Sequence, residues 1–142
     1  MKRRISRIKA MIVLYHDDLM KESYEKVEEE GLEKLLQEDK NLSYDVDFYN
    51  ELISGVRSNL EAIDRLIAIS LTNYTIDRLS YVDRALLRIG VYELKYTTTP
   101  KNIIIDEIVS LSHEYSEVSG FDSSKFNNAL LDKISKRISD GN

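Results

Sequence analysis

The spacing of apolar residues between positions 49 and 67 constrains the fold of this chain more than any other feature. The apolar residues recur there at intervals of three and four, which places them along one face of a helix. The positions are Tyr49, Leu52, Ile53, Val56, Leu60, Ile63 and Ile67. The pattern predicts one long amphipathic helix at about 45–71.

The same periodicity continues along most of the 142 residues, which contain one proline and five glycines. Runs of β-branched residues bounded by turn signals are scarce, so we expect an all-α protein. About seven helical segments are predicted, at about 4–16, 21–37, 45–71, 76–79, 81–96, 101–116 and from 123 onward. They are expected to form one domain over 1–142, built as two small bundles, about 1–72 and 73–142, that share one core.

Three helix starts have recognisable capping residues. Ser80 and Asp83 fit a capping box, in which each side chain accepts a hydrogen bond from the other residue's backbone amide. Thr99 is expected to cap the next helix, with Pro100 at its first position. Ser123 or Ser124 is expected to cap the last helix, where Phe126 begins an apolar stripe.

Several classes of function are disfavoured by what the sequence lacks. It has no cysteine, and its two histidines form no metal-binding motif. It has no glycine-rich phosphate loop, so we expect no enzyme activity, no cofactor and no metal. No apolar stretch approaches about 18 residues and no secretory signal is recognisable, so a cytoplasmic protein without a membrane span is expected.

The beginning of the chain is strongly cationic although the formal net charge is −5. Its first nine residues contain no acid and five cations, namely Lys2, Arg3, Arg4, Arg7 and Lys9. Cations in the first turn of a helix oppose the helix dipole, and a local conflict of this kind often marks a functional site. Guanidinium groups bind phosphates well, and Tyr15 could stack on an unpaired base. The alternatives are a solvated, frayed terminus and, for Tyr15, packing in the core.

Five stretches, in this order, resemble the NusB family of transcription antitermination factors. They are "RISRIKAMIVLY" (4–15), "ELISGVRSNLEAIDRLI" (51–67), "VDRALLRIGVYEL" (82–94), "IIIDEIVSLSHEY" (103–115) and "FDSSKFNNALLDKI" (121–134). The resemblance implies an all-helical fold without catalysis. It also implies binding of single-stranded boxA RNA together with NusE, a ribosomal protein of the small subunit. The implied setting is an antitermination complex on RNA polymerase that supports ribosomal RNA transcription.

The resemblance also implies an RNA-binding surface. The residues assigned to it, including the neighbouring cation Lys2, are Lys2, Arg3, Arg4, Arg7, Tyr15, Asp83, Asp122 and Phe126. Three of them have a structural alternative: Asp83 as half of the capping box, Asp122 as a helix cap, and Phe126 as a core residue. Ala129 stands where the family usually has glycine.

Two other functions fit the same sequence. One is a helical protein-interaction module or homodimer that makes no direct contact with RNA. The other is a NusB-like domain of the type fused to RNA cytosine methyltransferases, although the chain contains no methyltransferase segment.

Overall fold

All regular secondary structure in the described part of the chain is helical. A computed structural model describes residues 2–22, 43–116 and 122–141, and within these ranges it contains no strand. The helices are α1 (Lys2–Glu22), α2 (Val46–Ser58), α3 (Leu60–Ser70), α4 (Tyr81–Tyr96), α5 (Lys101–Tyr115) and α6 (Ser123–Ser139), with a 3₁₀ turn at Ile76–Arg78. The all-α prediction is confirmed. The predicted second helix, about 21–37, lies outside the described residues except for its first two positions, which end α1.

The prediction of one continuous helix at 45–71 is wrong, because α2 ends at Ser58 and α3 begins at Leu60. Asn59 causes the break. Its side-chain amide donates to the Gly55 carbonyl at 2.8 Å. Its backbone N–H donates to the same carbonyl at 3.1 Å. A local side-chain hydrogen bond of this kind competes with the helical backbone. The apolar stripe nevertheless continues across the break, since Val56 and Ile63 are both fully buried.

The observed helix caps differ from those predicted at two of three positions. The Ser80 hydroxyl accepts from the Asp83 amide at 3.1 Å, as predicted. Helix α5 begins after Pro100 without a side-chain cap, so Thr99 is not its capping residue. Asp122 caps α6 by accepting from the Lys125 amide at 3.0 Å. The neighbouring serines do not cap, because the Ser123 hydroxyl is used in buried hydrogen bonds and that of Ser124 donates to Asp122.

Helix α4 lies at the centre of the described fold and contacts all five other helices. Most of its apolar side chains, such as Leu86, Leu87 and Ile89, are fully buried in one hydrophobic cluster to which every helix contributes. At Gly90 a methyl group would lie 3.2 Å from the side chains of Ile108 and Leu131, so α5 and α6 approach the α4 backbone closely. This single cluster positions the surface residues of α1, α5 and α6. The division into two bundles near residue 72 stays a prediction.

Candidate nucleic-acid interface

The first turn of α1 carries the exposed cations of the predicted site. Lys2 and Arg3 are exposed, and the Arg3 guanidinium lies 4.1 Å from the centroid of the Phe48 ring. The Arg3 Nε is also 3.8 Å from an Asp45 carboxylate oxygen. This position holds Arg3 against α2 by a cation–π contact and a weak, solvent-screened ion pair while leaving the group accessible.

Arg4 extends from α1 to α5 and is partly exposed. Its Nη2 is 2.7 Å from a Glu114 carboxylate oxygen, and its Nη1 is 3.2 Å from the Ser110 hydroxyl and 3.4 Å from Glu107. The guanidinium is therefore fixed along one side of α5. A phosphate that approaches Arg4 must compete with the carboxylate of Glu114.

Arg7 does not lie on the surface, contrary to the prediction from the sequence. Its side chain is 3% exposed and forms two hydrogen bonds with the fully buried Glu93. The sequence does contain a signal for this burial. Met11 and Leu14, four and seven residues after Arg7, are both buried, so all three lie on the inner face of α1.

Tyr15 is also buried, with 8% of its surface exposed. Its ring meets those of His16 and Tyr81 edge-to-face, with centroids 5.7 and 5.8 Å apart. These contacts agree with the core-packing alternative for Tyr15. They do not present its ring face as an open platform for a base.

Asp83 is 4% exposed and organises a buried polar cluster instead of completing the predicted capping box. Ser116 and Asn127 donate to its Oδ1, the latter at 3.0 Å, and Ser123 donates to its Oδ2 at 3.3 Å. The carboxylate thus ties the end of α5 to the beginning of α6. These donors carry no local signal in the sequence, because they lie 33 to 44 residues from Asp83.

Asp122 and Phe126 lie one turn apart at the beginning of α6. Asp122 is exposed, whereas Phe126 is half-buried with its ring centroid 5.7 Å from that of Tyr74. The Ser123 hydroxyl oxygen also lies 3.3 Å from the Ser116 carbonyl oxygen, so the beginning of α6 lies beside the last turn of α5, which also contains Glu114. Because Glu114 binds Arg4, the cationic turn of α1 and the beginning of α6 flank the same end of α5.

The described residues give no indication of a metal centre or a membrane helix. Within them, no three histidine, aspartate or glutamate side chains are arranged to hold a metal ion. Among the same residues, no helix combines the length and apolar character needed to cross a membrane.

Comparison with known proteins places this helical arrangement in a family. The model of the NusB family matches residues 4–136. The chain belongs to the NusB family. NusB of Halalkalibacterium halodurans is 37% identical over 134 residues, covering 94% of this chain and 92% of that protein. NusB of Fervidobacterium nodosum is 35% identical over 137 residues, covering 95% of this chain and 91% of that protein.

Solved structures of NusB proteins share the fold. A crystal structure of the antitermination factors NusB and NusE in complex with dsRNA has a TM-score of 0.70 and 30% identity, and the match covers 94% of this chain and 96% of that one. A structure of T. maritima NusB has a TM-score of 0.67 and 32% identity, and the match covers 94% of this chain and 87% of that one. The helical fold described above is thus the fold of NusB.

Proposed function

We propose that this chain is a transcription antitermination subunit that binds single-stranded boxA RNA together with NusE. The complex would act with RNA polymerase to support ribosomal RNA transcription, in the cytoplasm and without catalysis or a cofactor. Membership in the NusB family and the similarity to a NusB–NusE complex with dsRNA support this function. The observation that carries it is the placement of the α1 cations and the beginning of α6 around one end of α5.

The residues of the predicted RNA surface divide into two groups by burial. Lys2 and Arg3 are exposed, and Arg4 is partly exposed, so we assign these cations to phosphate contacts. Asp122 and Phe126 would contact bases, the carboxylate by accepting from amino groups and the ring by stacking. Arg7, Tyr15 and Asp83 are buried and would support the surface from within.

A binding experiment with three components tests the function. The purified chain, NusE and labelled boxA RNA are mixed, and the RNA affinity is measured over a range of salt concentrations. Each phosphate contact to single-stranded RNA contributes about −0.7 to the slope of log affinity against log salt. Arg3→Ala combined with Arg4→Ala should weaken binding and reduce the slope by about 1.4.

Arg65→Ala, which removes an exposed cation on α3, is the matched control and should bind like the parent. The proposal fails if the double variant binds boxA RNA as tightly as the parent at every salt concentration. A stable complex with NusE that does not retain RNA would instead identify the chain as a protein-interaction module.

A further inference from the structure

A groove between the end of α3 and the outer face of α6 is a candidate for a second ligand site. It has a volume of about 360 Å³. Its apolar lining residues are Leu71, Phe126, Ala129 and Leu130. Ala129 is exposed and has a small side chain, so the middle of the groove stays open.

The groove contains a polar group that has no partner in the described part of the chain. Ser70 is 2% exposed, and its hydroxyl makes no hydrogen bond there. The adjacent Ser70 carbonyl and the Thr72 hydroxyl accept from the Lys133 ammonium at 3.0 and 3.2 Å. The hydroxyl oxygen itself is shielded from solvent, whereas the contacts of Lys133 hold its ammonium beside the groove.

Cations dominate the edge of the groove although the whole chain is acidic. Lys133 and Lys136 line it, and Lys125 lies one turn before Ala129 on the same face of α6. Asp132 is the only acid among the lining residues, and Lys136 lies 3.4 Å from it with a mostly exposed side chain. The local charge therefore favours an anionic ligand.

Phe126, which lines the groove, pairs with a second aromatic residue, Tyr74. The rings of Tyr74 and Phe126 are tilted by 52° with their centroids 5.7 Å apart, and Tyr74 is exposed. Aromatic rings beside cations are the usual means by which proteins bind unpaired nucleotides, because the base stacks while the cations contact the phosphates.

We propose that the α3–α6 groove binds one unstacked nucleobase of the RNA, with Lys133 and Lys136 contacting the flanking phosphates. The base would pack over Ala129 beside the Phe126 ring, both of which line the groove. The two lysines at the groove attract a phosphate-bearing partner more strongly than an apolar protein side chain, so the charge favours RNA. This inference rests on the proposed function and extends the RNA path from Phe126 toward α3.

The test uses boxA RNA in which 2-aminopurine replaces one base at a time, bound to the full chain with NusE. In the parent complex, the fluorescence of 2-aminopurine should be quenched at one RNA position, because the base at that position stacks in the groove. Ala129→Leu fills the groove with a side chain that favours helix formation. This variant should restore the fluorescence at that position. It should also weaken RNA binding by about tenfold, which is the loss expected for one base–aromatic stack, and should leave the slope of log affinity against log salt unchanged.

Two further variants keep the test decisive. Ala62→Leu makes the same change at an exposed position of α3 outside the groove and should bind like the parent. Lys136→Ala leaves the groove open and should reduce the salt slope by about 0.7 through loss of one phosphate contact. If Ala129→Leu lowers the helical circular dichroism signal, the salt slope of Lys136→Ala alone tests the groove.

The outcomes separate this inference from the proposed function. If the Arg3 and Arg4 variant loses RNA affinity while Ala129→Leu and Lys136→Ala bind like the parent, the groove proposal is overturned and the function survives. If Ala129→Leu weakens binding to NusE in the absence of RNA, the groove is a protein interface and the RNA assignment is wrong. If no variant changes RNA binding, both proposals fail.

Discussion

Arg7 and Glu93 form a bidentate ion pair inside the protein, with nitrogen–oxygen distances of 2.7 and 2.8 Å. Both side chains are almost completely buried. The pair joins α1 to the central helix α4. Although Arg7 lies in the same short cationic segment as Arg3 and Arg4, it serves the interior rather than the surface.

Arg7→Ala should lower the free energy of unfolding by about 3–5 kcal/mol, because it leaves the Glu93 carboxylate buried without its partner. Urea denaturation monitored by circular dichroism measures this loss. Arg3→Ala is the matched control, and it should cost less than about 1 kcal/mol because its ion pair is exposed. Equal stability of the two variants would show that the buried pair contributes little.

Glu114→Gln should strengthen RNA binding, because the Glu114 carboxylate competes with phosphate for the Arg4 guanidinium. Glu114 has the same sign of charge as the RNA phosphates, and removing one exposed charge of this kind is worth on the order of 1 kcal/mol. We therefore expect about a fivefold gain in RNA affinity at low salt, and a smaller gain at high salt. Titration of labelled boxA RNA with NusE measures the gain. Glu61→Gln on α3 should have no effect, and weaker binding by Glu114→Gln would mean that this carboxylate instead orients Arg4.

The Tyr92 hydroxyl should make stability depend on pH in the alkaline range. Burial, followed by the hydrogen bond and charge of Glu51, raises the pKa of Tyr92 to about 12 from its ordinary value of 10.0. Because the folded-state pKa is the higher one, the contribution is complete below pH 10 and is lost as the pH rises toward 12.

Urea denaturation at a series of pH values above 9 should therefore show a steeper loss of stability for the parent than for Tyr92→Phe. Ultraviolet absorbance of tyrosinate gives the pKa directly. Glu51→Gln should lower that pKa, because it removes the carboxylate that accepts from the Tyr92 hydroxyl at 2.9 Å. Identical pH profiles for the parent and Tyr92→Phe would contradict this assignment.

Gly55→Ala should destabilise the protein, because α2 meets the Tyr92 side chain at this glycine. A methyl group there would overlap the Tyr92 ring and lie 2.9 Å from its hydroxyl oxygen. We expect a loss of about 1–3 kcal/mol from overpacking, measured by thermal unfolding. Gly90→Ala should cost less, since the nearest atoms, in the side chains of Ile108 and Leu131, lie farther away at 3.2 Å. A Gly55→Ala variant as stable as the parent would show that the ring moves freely.

Most of the helices could be predicted because helical periodicity is a local property. The spacing of apolar residues placed α4 at 81–96, which is where it lies, and the Ser80 cap was recognised from residues three apart. The break at Asn59 was missed, since the apolar stripe continues through it and only the hydrogen bond from the Asn59 side chain to Gly55 reveals it.

The sequence by itself determined the all-helical class, the family and the concentration of cations at the beginning of α1. Only the tertiary structure decided which of those cations are accessible, because Arg7 meets a carboxylate 86 residues away. It also decided that Asp83 joins α5 to α6 through donors 33 to 44 residues distant. Periodicity records which face of a helix is buried, whereas the partner of a buried charge depends on how separate helices pack.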